Sequence, residues 1–401
     1  MRAVCFVERI EFEFSGNVFK NAITLGDVDN DGHSELIIGS SDGDILIFKG
    51  DKCWQKLSGL GMVSAIGVGD VMNCGSNALI VICGDGWCHI YLSLQPKTEE
   101  LEESNVSGKL QRIHIQRIPP NTKMILLGDI DNDGKQELVM GLTDRVVRSY
   151  RWHRSVSGGK LVCLNKWECA RQIGSLTLNH GPQAVPYLLI SQPGGTYMRI
   201  RTEALNNDEN NKEEKSPFAS VDYHPLSSNK MRNPNISSEI FCVINVHYIL
   251  KIPNNIQFHV NFVLRSMQVD HRLFALNKLD VTGDGRDEII ACSWDGQTYI
   301  IDQSKHSVSF QLEESVAGFC AGMYSISTAT SPVPCLIYTT FSNKVYIYHN
   351  VKLASLASKS LMFKVVEQKD TINEICAQDV VSDKKKLKAL IEWCLYNKHS
   401  L

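Results

Sequence analysis

One turn motif occurs four times in the chain, and this repeat restricts the fold more than any other feature. The stretch GDVDNDGHSELIIGSSDGDILIFKG begins at Gly26, and versions of it begin at Gly69, Gly128 and Leu279. Each copy has an acidic or glycine-rich turn after an apolar run, then two β-rich runs separated by a second glycine-containing turn. Repeats with a period of about 20 to 50 residues are typical of solenoids, propellers and arrays. The motif therefore predicts a repeat protein built from strands.

The spacing of the copies predicts the blades of a propeller. Their first aspartates are Asp27, Asp70, Asp129 and Asp280, and the gaps between them are 43, 59 and 151 residues. The first gap fits one four-stranded blade, and the second fits a blade that carries the acidic insertion 97–108. The third gap fits about three blades, so two further blades are hidden within it.

The full count gives an all-β, seven-bladed propeller over residues 1–351. One hidden blade is predicted in 172–201, the fifth blade in 239–266, and the final blade in 319–351. The leading strand Val4–Phe14 has no repeat of its own, and we expect it to complete the final blade so that both sheet edges are hidden. A sandwich of unrelated hairpins is the alternative, but it gives no reason for one turn motif to recur at blade spacing.

Two segments are predicted to lie outside the ring. Residues 204–238 are polar and asparagine-rich, which is typical of a disordered insertion. Residues 352–401 are predicted to form a helical tail, in which Thr371 and Glu374 have the spacing of a capping box and Ser382 can cap a second helix.

The second helix of this tail has an apolar face without an assigned partner. Its apolar residues recur at helical spacing and are Leu387, Leu390, Ile391, Cys394 and Leu395. Its first turn carries three lysines, 384–386, which oppose the helix dipole, so packing against another surface must stabilise it. That surface is either the propeller of the same chain or a partner protein.

The acidic turns contain side chains that suit calcium, which prefers about six to eight oxygen ligands. Aspartates at alternate positions of a tight loop direct their carboxylates to one point. The candidate ligands in the first and third turns are Asp27, Asp29, Asp31, Glu35, Asp129, Asp131, Asp133 and Glu137. Weaker candidates in the fourth turn are Asp280, Asp284 and Glu288. The twelfth position counted from Asp27 is Ile38 rather than glutamate, which excludes an EF-hand.

A second interpretation of the turns needs no metal. Aspartate side chains can accept hydrogen bonds from loop amides, which gives an Asx-type turn repeated between strands. The second turn favours this interpretation because Met72, Cys74 and Ala78 replace its acids. Under both interpretations the turns are mainly architectural.

The turns resemble the FG-GAP repeats of integrin α-subunits, which follow Asp-x-Asp-x-Asp-Gly-x-x-Asp between strands of a seven-bladed propeller. The match includes Asp27, Asp29, Asp31 and Gly32, and its counterpart at 129–134. The chain departs from the family at the ninth position, where Glu35 replaces aspartate. Calcium at these turns is what the resemblance implies.

A narrower resemblance is carried by NTKMILLGDIDNDGKQELVMGLTDRVVRSYRW (121–152) and QVDHRLFALNKLDVTGDGRDEIIACSWDGQTYIID (268–302). These stretches are similar to a family of FG-GAP proteins that are subunits of the KICSTOR complex. The resemblance implies a non-catalytic scaffold that helps recruit the GATOR complex and restrains mTOR complex 1 signalling during amino acid or glucose starvation. It also implies a heteromeric assembly at the lysosomal membrane, with a kaptin-like propeller, other KICSTOR subunits and the GATOR complex as partners.

Composition and missing motifs exclude several other classes of protein. A net charge of −3 gives no field that attracts nucleic acid, and no run of 18 apolar residues or signal peptide is present, so we expect a cytoplasmic location. No nucleophile, zinc or nucleotide-binding motif is found, and we predict that the chain is not an enzyme. The arginines of 143–154 are interpreted as solvated strand ends, and a patch for phosphoinositides or an acidic partner is the alternative. The alternative function is a calcium-dependent ligand-binding or adhesion-type propeller.

Overall fold

The computed structural model describes residues 2–93, 108–155, 158–180, 185–192, 196–202, 220–225, 273–302, 306–327, 331–357, 361–376 and 381–396. The first fourteen strands are β1 (Arg2–Ala3), β2 (Arg9–Glu13), β3 (Ile23–Gly26), β4 (Glu35–Gly39), β5 (Ile45–Lys49), β6 (Lys52–Leu57), β7 (Val63–Gly69), β8 (Ala78–Cys83), β9 (Trp87–Ser93), β10 (Leu110–Arg117), β11 (Thr122–Gly128), β12 (Glu137–Leu142), β13 (Val146–Ser155) and β14 (Gly158–Glu168). The later strands are β15 (Ser175–His180), β16 (Pro186–Gln192), β17 (Thr196–Arg201), β18 (Ser220–Pro225), β19 (Leu273–Leu279), β20 (Glu288–Ser293), β21 (Gln297–Ile301), β22 (Ser307–Gln311), β23 (Val316–Tyr324), β24 (Val333–Thr340) and β25 (Lys344–Tyr348). The helices are α1 (Leu361–Glu367), α2 (Lys369–Cys376) and α3 (Lys384–Tyr396).

The strands form successive antiparallel sheets around a common axis. Four sheets are consecutive meanders, β3 to β6, β7 to β10, β11 to β14 and β15 to β18. Two more contain β19 to β22 with β1 added, and β23 to β25 with β2 added. The first strands of neighbouring sheets are in contact, β3 with β7, β7 with β11, β11 with β15, and β19 with β23, which in turn contacts β3. The all-β propeller prediction is therefore confirmed.

The described residues contain six sheets, one fewer than the seven predicted blades. The stretch assigned to the fifth blade, 239–266, and residues 97–107 of the predicted insertion lie outside the described residues. The blade predicted in 172–201 is present as β15 to β17, and the final blade predicted in 319–351 is present as β23 to β25.

The second strand of each repeat is buried on both faces because it lies between neighbouring sheets. All residues of β4, β8 and β12 are buried, which explains why their sequences are continuous apolar runs instead of alternating ones. The first strands of neighbouring sheets approach each other closely at their last residues, where little room is left for side chains. A Cβ atom added at Gly26 would lie 2.6 Å from Val68, and one at Gly128 would lie 2.5 Å from Leu178.

The leading segment closes the ring, as predicted, but it divides between two sheets. Strand β2 pairs antiparallel with β25, with Arg9 opposite Tyr348 and Glu13 opposite Lys344. Strand β1 pairs in parallel with β22 in the preceding sheet. The last and first blades are also joined by the buried hydroxyl of Tyr324, which donates to the carbonyl of Gly50 at 2.8 Å.

Glutamines on the outer strands link successive blades. Gln55 on β6 donates from Nε2 to the carbonyl of Leu110 (3.0 Å) and accepts from its amide at Oε1 (2.8 Å). Gln116 on β10 makes the same pair of bonds to Leu161 on β14, both at 2.8 Å. Each side-chain amide thereby satisfies one backbone donor and one acceptor at a sheet edge.

Part of the predicted insertion 204–238 is a strand, so the prediction is wrong there. Residues Ser220–Pro225 form β18, the outer strand of the fourth sheet, and pair antiparallel with β17. The sequence SVDYHP has the alternation of a short strand. Its polar, asparagine-rich surroundings concealed this signal, and without β18 the edge of β17 would have no partner in the described sheet.

The carboxy-terminal tail is helical, as predicted, but its caps differ from the predicted ones. Thr371 lies inside α2, which begins two residues earlier, so it is not a capping residue. Helix α3 is capped by Asp383, whose Oδ1 accepts from the amide of Lys385 at 2.8 Å. Ser382 instead accepts from Nζ of Lys369 at 2.8 Å. None of the described helices has the length and apolar character needed to cross a membrane.

Candidate functional site

The first aspartate of every acidic turn holds the turn together. Asp27 follows β3, and its Oδ1 and Oδ2 accept from the amides of Asp31 (3.1 Å) and Gly32 (2.9 Å). The equivalent aspartates of the other three turns also accept loop amides through both oxygens, two amides at Asp70 and Asp280 and three at Asp129. Because this holds in the second turn, where the other acids are missing, these bonds do not depend on a metal site.

The ninth residue of three turns is a buried glutamate. Glu35 is 1% exposed, Glu137 is fully buried and Glu288 is 4% exposed. The Oε2 atom of each accepts from the backbone amide of the second turn residue, at 2.8–3.0 Å. Burial raises the pKa of Glu35 and of Glu137 to about 7, and it also raises the pKa of Glu288. In the first and third turns a nearby positive charge opposes this rise and favours the ionised carboxylate.

In the first turn the counter-charge is Lys49, the last residue of β5. The register pairs Leu36 with Phe48, which places Lys49 opposite Glu35. Its Nζ contacts a carboxylate oxygen of Asp29, lies 2.9 Å from Asp31 Oδ2 and lies 3.4 Å from Glu35 Oε1. Burial acts to lower the pKa of Lys49, but its hydrogen bonds to Asp29 and Asp31 outweigh this and hold the pKa above its usual value.

In the third turn the same position is occupied by Arg151 on β13. Its Nε donates to Glu137 Oε1 at 2.7 Å, and Nη2 contacts the same oxygen. Nη2 also lies 3.0 Å from Asp131 Oδ2, and Nη1 lies 2.8 Å from Asp133 Oδ2. The interpretation of Arg151 as a solvated strand end is therefore wrong, because it points into the turn and binds three carboxylates.

The other two turns have no cation at this position. In the second turn the pair Leu79 and Tyr91 places Leu92 opposite Ala78, so neither charge is present. In the fourth turn Glu288 lies opposite Asp302, which binds His306. Thr282 donates to Glu288 Oε1 at 3.1 Å there. A cation is thus found opposite the two turns with all four acids.

The predicted calcium ligands are brought together by the fold. Ligand atoms lie within 4.8 Å of one another in the groups Asp27, Asp29 and Glu35; Asp129, Asp131 and Glu137; and Asp280, Asp284 and Glu288. The first aspartate of each group already binds loop amides, and in the first two groups a side-chain cation contacts the remaining acids. Asp131 Oδ1 is buried without a hydrogen-bond partner among the described residues, so an oxygen is available there. The residues fit a cation in charge, and calcium at these turns stays a prediction.

Asparagines at the fourth turn position connect neighbouring turns. Asn30 accepts from the amide of Asn77 at 2.7 Å and donates to its carbonyl at 3.2 Å. Asn73 makes the same pair of bonds to Gln136, at 2.6 and 3.1 Å. Both asparagines have positive φ angles, 63° and 52°, which asparagine tolerates better than most residues. Sequence reasoning missed these links, although Asn73 persists in the turn that lost its acids and could have indicated them.

The apolar face predicted on α3 is covered mostly from within the tail. Leu387 and Leu390 are buried in a cluster with Val365 and Val381, and Ile391 is partly buried against it. The side chain of Leu395 lies outside the described residues. The exposed apolar residues of the tail are instead Leu361, Met362, Phe363, Val366, Trp393 and Tyr396. A partner-docking role for α3 stays a prediction.

The described turns contain one thiol, Cys74 in the second turn, which is exposed, and the thiols buried elsewhere are shifted toward the protonated form. Burial raises the pKa of Cys83 to about 11 and that of Cys320 to about 12. The carboxylates of the turns are bound to amides and cations. What this arrangement can do chemically is hold a positive charge and fix one blade against the next.

Sequence comparisons place the chain among proteins of one kind. A family model described as integrin-alpha FG-GAP repeat-containing protein 2 matches residues 48–353. A protein of Mus musculus named KICSTOR complex protein ITFG2 is 37% identical over 426 residues, covering 97% of this chain and 94% of that protein. A Bos taurus protein of the same name is 38% identical over 404 residues, covering 92% of this chain and 74% of that protein.

Solved structures that resemble the chain share its fold only. A crystal structure of BBS1N in complex with ARL6DN matches with a TM-score of 0.56 and 14% identity, covering 89% of this chain and 100% of that one. The crystal structure of Saccharomyces cerevisiae Sqt1 matches with a TM-score of 0.51 and 10% identity, and the match covers 84% of this chain and 97% of that one. At this level of identity the likeness supports the architecture and carries no argument about ligands.

Proposed function

The chain belongs to the integrin-alpha FG-GAP repeat-containing protein 2 family, and on this premise we propose that it is a non-catalytic scaffold subunit of a KICSTOR-like complex. Both relatives that match most of its length carry the name KICSTOR complex protein. Their identity of 37–38% extends over 92–97% of this chain, so the proposal concerns the whole propeller and not one repeat.

The observation that carries the non-catalytic part of the proposal is the charge balance inside the turns. Lys49 and Arg151 each bind three acids of their own turn. A catalytic carboxylate needs access to a substrate, whereas Glu35 and Glu137 are buried beneath these cations. Their role is to join strands within one blade, as the asparagine links join neighbouring blades. A rigid ring of this kind presents broad surfaces to other proteins, which is an argument by analogy between folds.

The proposed partners are a kaptin-like propeller, other KICSTOR subunits and the GATOR complex. The proposed location is the cytoplasmic face of the lysosomal membrane, reached through the complex and not through a membrane-spanning helix. Within the complex the chain would help restrain mTOR complex 1 signalling during amino acid or glucose starvation. These details rest on the family resemblance.

Affinity purification of the full tagged chain from starved cells, followed by quantitative mass spectrometry, tests the proposal. We expect kaptin and GATOR components at near-stoichiometric yield, and a tagged propeller of an unrelated family serves as the control for non-specific capture. Recovery of the chain alone, at the size of a monomer, would contradict membership of the complex.

A calcium-dependent ligand-binding propeller is the second candidate, favoured by the convergence of three carboxylates in each of three turns. It requires that calcium displace Lys49 or Arg151 or occupy the fourth turn. Calorimetric titration of the purified chain with calcium, using magnesium as the control ion, tests it. Heat of binding that is seen with calcium but not with magnesium would favour this candidate over the scaffold.

A further inference from the structure

A cavity of about 330 Å³ lies on the axis of the propeller, among the first strands of the blades. Its lining comes from β3, β7, β11, β15, β19 and β23 and from the segment before β3. Most contributing residues belong to the beginnings of the first strands, such as Ile23, Ser175 and Phe274. The acidic turns follow the ends of the same strands. The cavity therefore lies toward the side of the ring opposite the acidic turns.

Two partly buried lysines lie at or beside this cavity, and neither contacts a carboxylate within the described part of the chain. Lys20 lines it, and its Nζ donates to the carbonyl of Phe274 at 3.4 Å. Lys123 adjoins it, and its Nζ donates to the carbonyl of Ile173 at 2.7 Å. Asn21 connects the two segments by donating to the carbonyl of Lys123 at 2.8 Å. Within the described ranges neither ammonium forms an ion pair, so each has donors left after one carbonyl contact.

Lys20 and Lys123 therefore place positive charge in a partly desolvated region, where no described carboxylate neutralises it. Burial lowers the pKa of Lys20 to about 8, and the nearby charge of Lys123 adds to the effect. Burial alone lowers the pKa of Lys123. Acids on the turns between the second and third strands lie on the same side of the ring, but Asp85 and Asp144 are bound to turn amides at Trp87 and Val146. An anion that enters the cavity would supply the missing counter-charge.

The rest of the cavity wall contains both polar and apolar groups, with somewhat more polar than apolar surface. Ile66, Ile125, Leu176 and Phe319 contribute hydrophobic surface, and Asn277 adds an amide. Ligand sites are typically cavities of about 300–1,000 Å³ with apolar walls and a few convergent polar groups. The combination of ammonium groups with these four apolar side chains suits a ligand with a charged head and a short uncharged body.

We propose that the axial cavity binds a small organic anion, with a carboxylate or phosphate-monoester head between Lys20 and Lys123 and a short apolar body against the walls. Phosphate esters and carboxylates share the chemistry that ammonium groups recognise. The proposal is independent of membership of a complex, because every group that it uses belongs to this chain.

Lysine labelling on the full chain tests the site directly. The rates of acetylation of Lys20 and Lys123 are measured by mass spectrometry with hexyl phosphate, hexanoate, inorganic phosphate or hexanol present. We expect hexyl phosphate, hexanoate or both to slow labelling of the two lysines several-fold, while Lys278, whose side chain is 71% exposed, is unaffected. Protection by only one of the two anions shows whether the site prefers a phosphate ester or a carboxylate. Equal protection by hexanol, or no protection by either organic anion, would overturn the proposal.

Two variants make the test quantitative. Lys20→Met and Lys123→Met keep the apolar stem and remove the charge, and each should weaken binding of the protecting anion about tenfold in calorimetry, as expected for loss of a charge-assisted hydrogen bond. Lys278→Met is the matched control and should bind like the unmodified chain. Unchanged affinity in both axial variants would overturn the site. If inorganic phosphate binds as tightly as hexyl phosphate, the apolar side chains of the cavity do not contribute to binding and that part of the proposal is overturned.

Discussion

Arg151 donates two hydrogen bonds to a single oxygen of Glu137, a carboxylate that solvent does not reach. The pair lies at the centre of a turn whose sequence has the pattern of a calcium loop. The guanidinium lies where the acids converge, so the turn carries its own cation. Lys49 has the equivalent role at Glu35, and the two pairs make the turns self-contained units of blade structure.

Replacing Arg151 with methionine should destabilise the chain by about 3 kcal/mol, because it leaves three acids in a partly buried site without a counter-charge. Arg151→Lys should restore part of the loss. The free energy of unfolding in urea is the measurement, and Arg154→Met, at an exposed neighbour on the same strand, is the control. Equal stability of the 151 and 154 methionine variants would show that the buried pair contributes nothing.

Calcium and a chelator should leave the melting temperature of the unmodified chain unchanged, since Lys49 and Arg151 already neutralise the two complete turns. Lys49→Met should then gain stability on addition of calcium, because its loss opens a group of acids that includes Asp29 and Glu35. Differential scanning calorimetry with calcium, magnesium and chelator checks both statements. A calcium-dependent rise for the unmodified chain would mean either that the side-chain cations do not replace the metal or that the fourth turn, which has no such cation, binds calcium.

Asn73→Gly should cost about 1–2 kcal/mol, because glycine keeps the positive φ angle but removes both hydrogen bonds to Gln136. Asn343→Gly is the matched control, since Asn343 has a φ of 62° in a hairpin turn. Its substitution should change stability little. If the two glycine variants unfold at the same urea concentration, the link between turns has no energetic role.

The free energy of unfolding should depend on pH through the lowered pKa of Lys20. Its folded-state pKa is lowered from 10.5 to about 8, so between these values the unfolded chain binds more protons than the folded chain. Stability contributed by this group therefore rises with pH across that window, by at most about 1.4 kcal/mol per pH unit. Lys20→Met should be more stable than the unmodified chain at pH 7 and should lack this rise. Parallel pH profiles of the two proteins would contradict the shift.

The repeat fixed most of the architecture in advance, because a turn that recurs at blade spacing leaves few alternatives. Ser220–Pro225 was missed since a six-residue strand within a polar segment has little hydrophobic signal. Sequence reasoning did not assign Lys49 and Arg151 to the turns, because each comes next to its glutamate only when the two strands pair. Both lie 14 residues after that glutamate, and this constant spacing is a sequence signal that hairpin geometry explains. Lys20 and Lys123 carry no such signal, since 102 residues separate Lys123 from the asparagine that binds it.

The pairing of β2 with β25 has a consequence for biosynthesis. Glu13 is synthesised more than 300 residues before its partner Lys344. Until then the nascent chain carries an unpaired strand with no template, and such edges invite association with other chains. The chain can fold its middle blades during synthesis, but the ring cannot close until β25 has been made. The yield of the mature protein would therefore depend on a chaperone that shields β2 or on early binding by an assembly partner.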